Sequence, residues 1–177
     1  MKVTSERLQL LSLLLGTPVS GSLEMLEALT GEHPWLAMPL AELRRVPLQQ
    51  WQGEHTFLFV SGYPKTVAPP FISALRHGSM SGATEEDLRG FYRRLGMAPN
   101  GMPADYLGTL FECAAWLLSQ NGRQEELDEL WQNYLLPILP EFSQRLRRQA
   151  GLQLYREMGN ELARLSPADS HGIRASA

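Results

Sequence analysis

The chain has 177 residues, 44% of them hydrophobic and 20% charged, so it can bury a real core and is globular rather than disordered. Its net charge of -3 argues against a nucleic-acid partner, because proteins that bind nucleic acids usually carry an excess of basic residues. A single cysteine, Cys113, excludes an internal disulfide and a CxxC metal or redox motif. No run approaches the roughly 20 apolar residues of a spanning helix, so we expect a cytoplasmic protein without stable membrane insertion.

Helical periodicity runs through the chain, and no alternating strand of useful length interrupts it. The first predicted helix is capped by Thr4 or Ser5 and ends at Leu15, and shorter helices follow within 22–60. The run FLFV at 57–60 is the one segment that is ambiguous between helix and strand. Three prolines, three glycines and four serines in 61–83 predict an irregular loop of the kind that often carries function.

Further helices are predicted from Thr84 to Arg94, from Met102 to Leu118, from Arg123 to Leu136, and over 141–149 and 152–165. The sequence thus predicts an all-α, single-domain bundle of about eight to ten helices over 1–165. Residues 166–177 lack an apolar period and are expected to form a flexible C-terminal tail.

The stretch from Met102 to Leu118 is apolar around most of its circumference. Pro103 suits the first turn of a helix, and Asp105 is favoured there by the helix dipole. One narrow stripe is left, and it consists of Asp105, Thr109, Glu112 and Trp116. Two interpretations stay open: the stripe is a ligand-facing wall, or it is the solvated edge of a core helix.

Nothing in the sequence argues for catalysis or for a metal site. The histidines His33, His55, His77 and His171 are far apart, and no Walker, GxGxxG or GxSxG motif occurs. Cys113 falls on the apolar arc of its helix and is interpreted as a core residue. We therefore predict no catalytic residue, no metal and no enzyme, with a site around Glu112, His77 and Cys113 as the rival hypothesis.

Three blocks of the chain resemble the TorD/DmsD family of redox-enzyme maturation chaperones, relatives of the NarJ group. The first block has Leu58-Phe59-Val60 leading to Pro69-Pro70-Phe71-x-Ser73. The second has the Asp105-Tyr106 pair followed by a helix ending in Ala-x-Trp-Leu at 114–117. The third has Leu135-Leu136-Pro137, Phe142 and Tyr155. The family's histidine after the aspartate is Tyr106 here, and the family's Gly-Pro before the proline loop is missing.

The resemblance implies an all-α, TorD-like chaperone in the cytoplasm. Its partners would be the twin-arginine signal peptide and the apo catalytic subunit of a molybdopterin oxidoreductase, whose export it would delay until the cofactor is inserted. A NarJ-like factor that binds a redox subunit outside such a signal is the alternative. The resemblance also implies a monomer or a domain-swapped dimer, no cofactor of its own, and weak binding of guanine nucleotide.

The resemblance and the polar stripe together indicate one peptide-binding site. An arginine pair needs carboxylates, and an apolar segment needs an apolar groove. The predicted peptide-binding residues are Pro69, Pro70, Phe71, Ser73, Asp105, Tyr106, Thr109, Glu112 and Trp116.

Overall fold

The computed structural model describes residues 3–78, 82–98 and 101–165, which form ten α-helices and no β-strand. The helices are α1 Ser5–Leu14, α2 Ser22–Ala28, α3 Ala37–Leu43, α4 Leu48–His55, α5 Ile72–His77, α6 Gly82–Leu95, α7 Leu107–Ser119, α8 Gln124–Leu130, α9 Leu139–Gln149 and α10 Gln153–Arg164. The prediction of an all-α fold is confirmed. The ambiguous run at 57–60 lies in a π-helical segment, Thr56–Val60, that continues α4.

The chain packs as two compact units, each built from segments that are distant in sequence. The first unit contains Gly16–Pro69 and, among the described residues, 139–165; the second contains Val3–Leu15 and Pro70–Ile138. The single-domain interpretation of 1–165 stays a prediction, and the predicted tail at 166–177 lies outside the described residues. No helix in the described ranges is long and apolar enough to cross a membrane.

In the first unit, α9 and α10 pack closely against each other. Ser143 Oγ, fully buried, donates a hydrogen bond of 2.9 Å to the carbonyl of Gly159, which fixes the crossing of the two helices. The ring of Tyr155 on α10 packs edge-on against Phe59, with the ring centroids 5.3 Å apart. Its hydroxyl accepts a hydrogen bond of 3.0 Å from Trp51 Nε1, so the Tyr155 hydroxyl and the Trp51 indole N–H satisfy each other.

In the second unit, α7 packs along α1, as its nearly continuous apolar surface predicts. Leu107, Leu110 and Phe111 are fully buried. Two serines of α1 reach the backbone of α7: Ser5 Oγ donates to the carbonyl of Ala115 at 2.9 Å, and Ser12 Oγ to that of Gly108 at 3.1 Å. Small residues at these contacts let the two backbones approach closely.

Two predicted boundaries next to the candidate site are wrong. The stretch 61–83 is not irregular throughout, because it contains α5, and its residues 79–81 lie outside the described ranges. The helix predicted from Met102 begins only at Leu107, so Asp105 is not in its first turn.

Contacts between distant segments explain the later start of α7. Tyr106 is extended, with φ -69° and ψ 126°. The N–H of Leu107 donates to the carbonyl of Pro70 at 2.9 Å, and the N–H of Ile72 donates to the carbonyl of Asp105 at 3.0 Å. These bonds satisfy backbone groups that a helical turn would otherwise have paired, and they join the proline segment to the start of α7.

Candidate functional site

The sequence led us to expect Asp105 to face a ligand. The residue is only 1% exposed, so its carboxylate is buried instead. Its Oδ2 atom accepts two hydrogen bonds from Ser73, from the backbone N–H at 3.0 Å and from the hydroxyl at 2.6 Å. Ser73 lies in the first turn of α5, where N–H groups lack partners within the helix. In this geometry Asp105 caps α5 from 32 residues away and is not offered to a ligand.

Phe71 and Tyr106 face each other across the junction that these bonds hold together. They form an isolated antiparallel bridge, and their ring centroids are 5.6 Å apart. Both side chains are half-buried, whereas Pro70 is buried. The structure therefore brings Pro70, Phe71 and Ser73 together with Asp105 and Tyr106.

The ring of Tyr106 lies across the start of α7, over Gly108. A Cβ atom added to Gly108 would overlap that ring, so this position requires glycine as long as the ring stays in place. The Tyr106 hydroxyl donates a hydrogen bond of 3.2 Å to the carbonyl of Leu15. Burial, and secondarily the charge of Glu112, raises the pKa of Tyr106 to about 12. Tyr106 therefore stays neutral through the physiological range and holds a fixed orientation.

A groove in the second unit runs beside Tyr106 along the exposed side of α7. Its volume is about 220 Å³, and its lining residues are Tyr92, Met97, Ala98, Met102, Tyr106, Thr109 and Glu112. Three predicted site residues, Tyr106, Thr109 and Glu112, thus share one wall. Met97 and Met102 are not among the predicted site residues, although both shortly precede the Pro-x-Asp-Tyr block at 103–106.

Glu112 supplies the negative charge of this groove, and its side chain is exposed. Its Oε1 atom lies 3.0 Å from Ser12 Oγ and shares the single proton of that hydroxyl with the carbonyl of Gly108, which is 3.1 Å away. No hydrogen bond to its Oε2 atom is formed within the described part of the chain. Glu112 is therefore oriented by α1 and still has an oxygen to offer to a cation.

Six of the nine predicted site residues do not line the groove: Pro69, Pro70, Phe71, Ser73, Asp105 and Trp116. Trp116 is half-buried one turn further along α7 and does not line the groove. Pro69 belongs to the first unit, whereas the other eight predicted residues belong to the second.

Cys113 is fully buried, and burial raises the pKa of its thiol to about 12. A thiol with that pKa is not a nucleophile near neutral pH, so the rival enzyme hypothesis loses its reactive group. Cys113 Sγ lies 3.9 Å from Met97 Sδ, next to the groove but beneath its surface. Among the residues that the structure describes, no three His, Cys, Asp or Glu side chains are placed to hold a metal ion.

The fold is similar to that of a candidate redox enzyme maturation protein from Archaeoglobus fulgidus. The two structures superpose with a TM-score of 0.69 over 93% of this chain and 94% of the other, at 22% sequence identity. At that identity the likeness concerns the fold alone.

Residues 18–144 match the family model described as nitrate reductase delta subunit, and the chain belongs to this family. Over 113 residues the chain is 32% identical to the chaperone protein YcdY of Escherichia coli K12. That match covers 63% of this chain and 58% of the relative, so the chain spans little more than half of that protein's length. YcdY is named a chaperone, which agrees with the prediction that the chain is not an enzyme. The narrower TorD/DmsD assignment stays a prediction.

Proposed function

We propose that this protein is a cytoplasmic chaperone of redox-enzyme maturation that binds a twin-arginine signal peptide in the groove beside α7. Its client is the catalytic subunit of a molybdopterin oxidoreductase, which it holds back from export until the cofactor has been inserted. The nitrate reductase delta subunit family and the likeness to a named chaperone support the general role. The signal peptide and the client rest on the resemblance to TorD/DmsD and on the chemistry of the groove.

The observation that carries the proposal is the exposed Glu112 beside an apolar wall. A twin-arginine signal peptide brings cations followed by an apolar run. Glu112 offers a carboxylate oxygen to an arginine, and charge-assisted hydrogen bonds of this kind are among the stronger ones. Met97 and Met102 line the same groove, and flexible thioether side chains adapt to varied apolar partners.

Calorimetric titration with a twin-arginine signal peptide tests the proposal. We expect binding that weakens by about tenfold when both arginines become lysine, because lysine cannot form planar, paired hydrogen bonds. Glu112→Gln should weaken binding of the arginine peptide by a similar factor. Glu125→Gln, which changes an exposed carboxylate on α8, is the matched control and should leave binding unchanged. Absence of binding, or equal binding of the two peptides, would refute the proposal.

Asp105 contributes to this site as a positioning residue, because its carboxylate is buried against Ser73. Asp105→Ala should loosen the contact of residues 70–73 with the start of α7. Affinity for the arginine peptide and for the lysine peptide should then fall by the same factor. Ser73→Ala should have a weaker effect of the same kind, and the two changes should be non-additive. A loss confined to the arginine peptide would show instead that Asp105 contacts the ligand.

A NarJ-like assembly factor is the second candidate, and the match to the nitrate reductase delta subunit family favours it. Such a factor would bind the apo catalytic subunit even after its signal peptide is deleted. Pull-down of the subunit with and without the signal separates the two functions, because only the first requires the signal.

The proposal includes no cofactor and no nucleotide. A groove of about 220 Å³ is smaller than the roughly 300–1,000 Å³ typical of small-molecule sites. Glu112 would also repel the phosphates of a guanine nucleotide. The groove suits a few side chains of a peptide better than a nucleotide.

A further inference from the structure

The groove offers one accessible charged oxygen, although a twin-arginine peptide brings two guanidinium groups. Glu112 is the only carboxylate among the described residues that line the groove. Asp105, the second carboxylate that the sequence suggested, is 1% exposed and bonded to Ser73. Ser12 already occupies one oxygen of Glu112 at 3.0 Å. Two guanidinium groups placed here would compete for one oxygen and repel each other.

The groups next to Glu112 suit the planar shape of a single guanidinium. Thr109 and Glu112 are three residues apart in α7 and therefore lie on one side of it. Tyr106 immediately precedes the helix, and its ring lies over Gly108 at the start of α7. All three line the groove. A guanidinium can donate to Glu112 Oε2 and to the Thr109 hydroxyl while stacking on the Tyr106 ring. A lysine ammonium is a point charge and cannot fill all three positions.

We propose that the groove recognises one arginine of the pair and leaves the other in solvent. This inference rests on the proposed function and adds which part of the signal is recognised. The arginine in the groove is bound through Glu112, Thr109 and Tyr106. The other arginine contributes only screened, long-range attraction, for which lysine is equivalent.

Calorimetric titration with four signal peptides that differ only at the pair (RR, KR, RK and KK) tests the inference. One single replacement should weaken binding by about tenfold, and the other should change it by less than about twofold. The KK peptide should bind within about twofold of the worse of the two single replacements. In Glu112→Gln the difference in affinity between the KR and RK peptides should largely disappear, because the carboxylate that binds the arginine has been removed.

Two results would overturn this inference without touching the proposed function: equal losses for KR and RK, or a KR–RK difference that persists in full in Glu112→Gln. Failure of the RR peptide to bind, or equal affinity for RR and KK, would remove the proposed function and this inference with it. Thr109→Val, which keeps the shape and removes the hydroxyl, is the second variant. It should shrink the KR–RK difference while leaving affinity for the KK peptide within about twofold.

Discussion

Two helix crossings, one in each unit, contain the same kind of serine–glycine contact, but the two glycines have different roles. In the first unit Ser143 donates to the carbonyl of Gly159, and in the second Ser12 donates to that of Gly108. A Cβ atom on Gly159 would lie 3.0 Å from the carbonyl oxygen of Ser143, which is backbone. A Cβ atom on Gly108 would instead overlap the ring of Tyr106. The first glycine serves helix packing alone, whereas the second also keeps a wall of the groove in place.

The largest effect is expected at the purely structural crossing. Gly159→Ala should lower the free energy of unfolding by about 1–3 kcal/mol, because the added methyl group meets backbone atoms of α9 that cannot rotate away. Urea denaturation followed by circular dichroism measures this change. Gly90→Ala in α6 is the control, since its added Cβ would meet only a side-chain atom of Arg93 at 3.9 Å. An unchanged midpoint for Gly159→Ala would show that the crossing tolerates a wider spacing.

At the second crossing the same substitution should affect binding more than stability. In Gly108→Ala the Tyr106 ring can rotate away from the added methyl group, and alanine also favours the helix by about 0.5–1 kcal/mol. The free energy of unfolding should therefore change by less than about 1 kcal/mol. Affinity for the arginine peptide should fall by about tenfold, because the ring leaves the groove. Unchanged affinity would remove Tyr106 from the site.

The two serines allow a finer comparison. Ser143→Ala and Ser12→Ala should each cost about 1 kcal/mol of stability, since each removes a hydroxyl that donates to a buried glycine carbonyl. Only Ser12→Ala should also weaken the arginine peptide, by about threefold, because Glu112 then loses the bond that orients it. Thermal melts of the two variants measure the loss of stability, and calorimetric titration measures the loss of affinity for the arginine peptide. A loss of affinity in Ser143→Ala would contradict the distinction between the crossings.

Features set by nearby residues could be predicted from the sequence. Thr4 caps α1 by accepting a hydrogen bond of 3.3 Å from the N–H of Arg7, as its position before a periodic run indicated. The buried face of α7 follows from apolar spacing alone, with Leu107, Leu110 and Phe111 all fully buried. The same spacing placed Thr109 and Glu112 on a common wall, and both line the groove.

Features set by distant partners could not be predicted. The first N–H groups of α5 are paired by Asp105, which is distant in sequence. The proline- and serine-rich stretch therefore contains no local capping residue from which the helix could be predicted. The burial of Asp105 has the same origin, because only the fold brings Ser73 to it. Met97 lies before α7, where no helical period links it to the stripe.

The smallest expected effect concerns the ionisation of Tyr106. Its pKa of about 12 lies above the ordinary value of about 10 because the ring is buried against Gly108 and faces the charge of Glu112. A raised pKa favours the neutral form in the fold, so its stabilising contribution is complete below pH 10 and declines as pH rises towards 12. In Gly108→Ala the displaced ring should ionise nearer its ordinary value. Near-UV titration of tyrosinate in Gly108→Ala and in the unaltered protein, each against its Tyr106→Phe counterpart, isolates this one group. An identical titration in the two backgrounds would show that the added methyl group leaves the ring in place, and the second crossing would then be structural in the same way as the first.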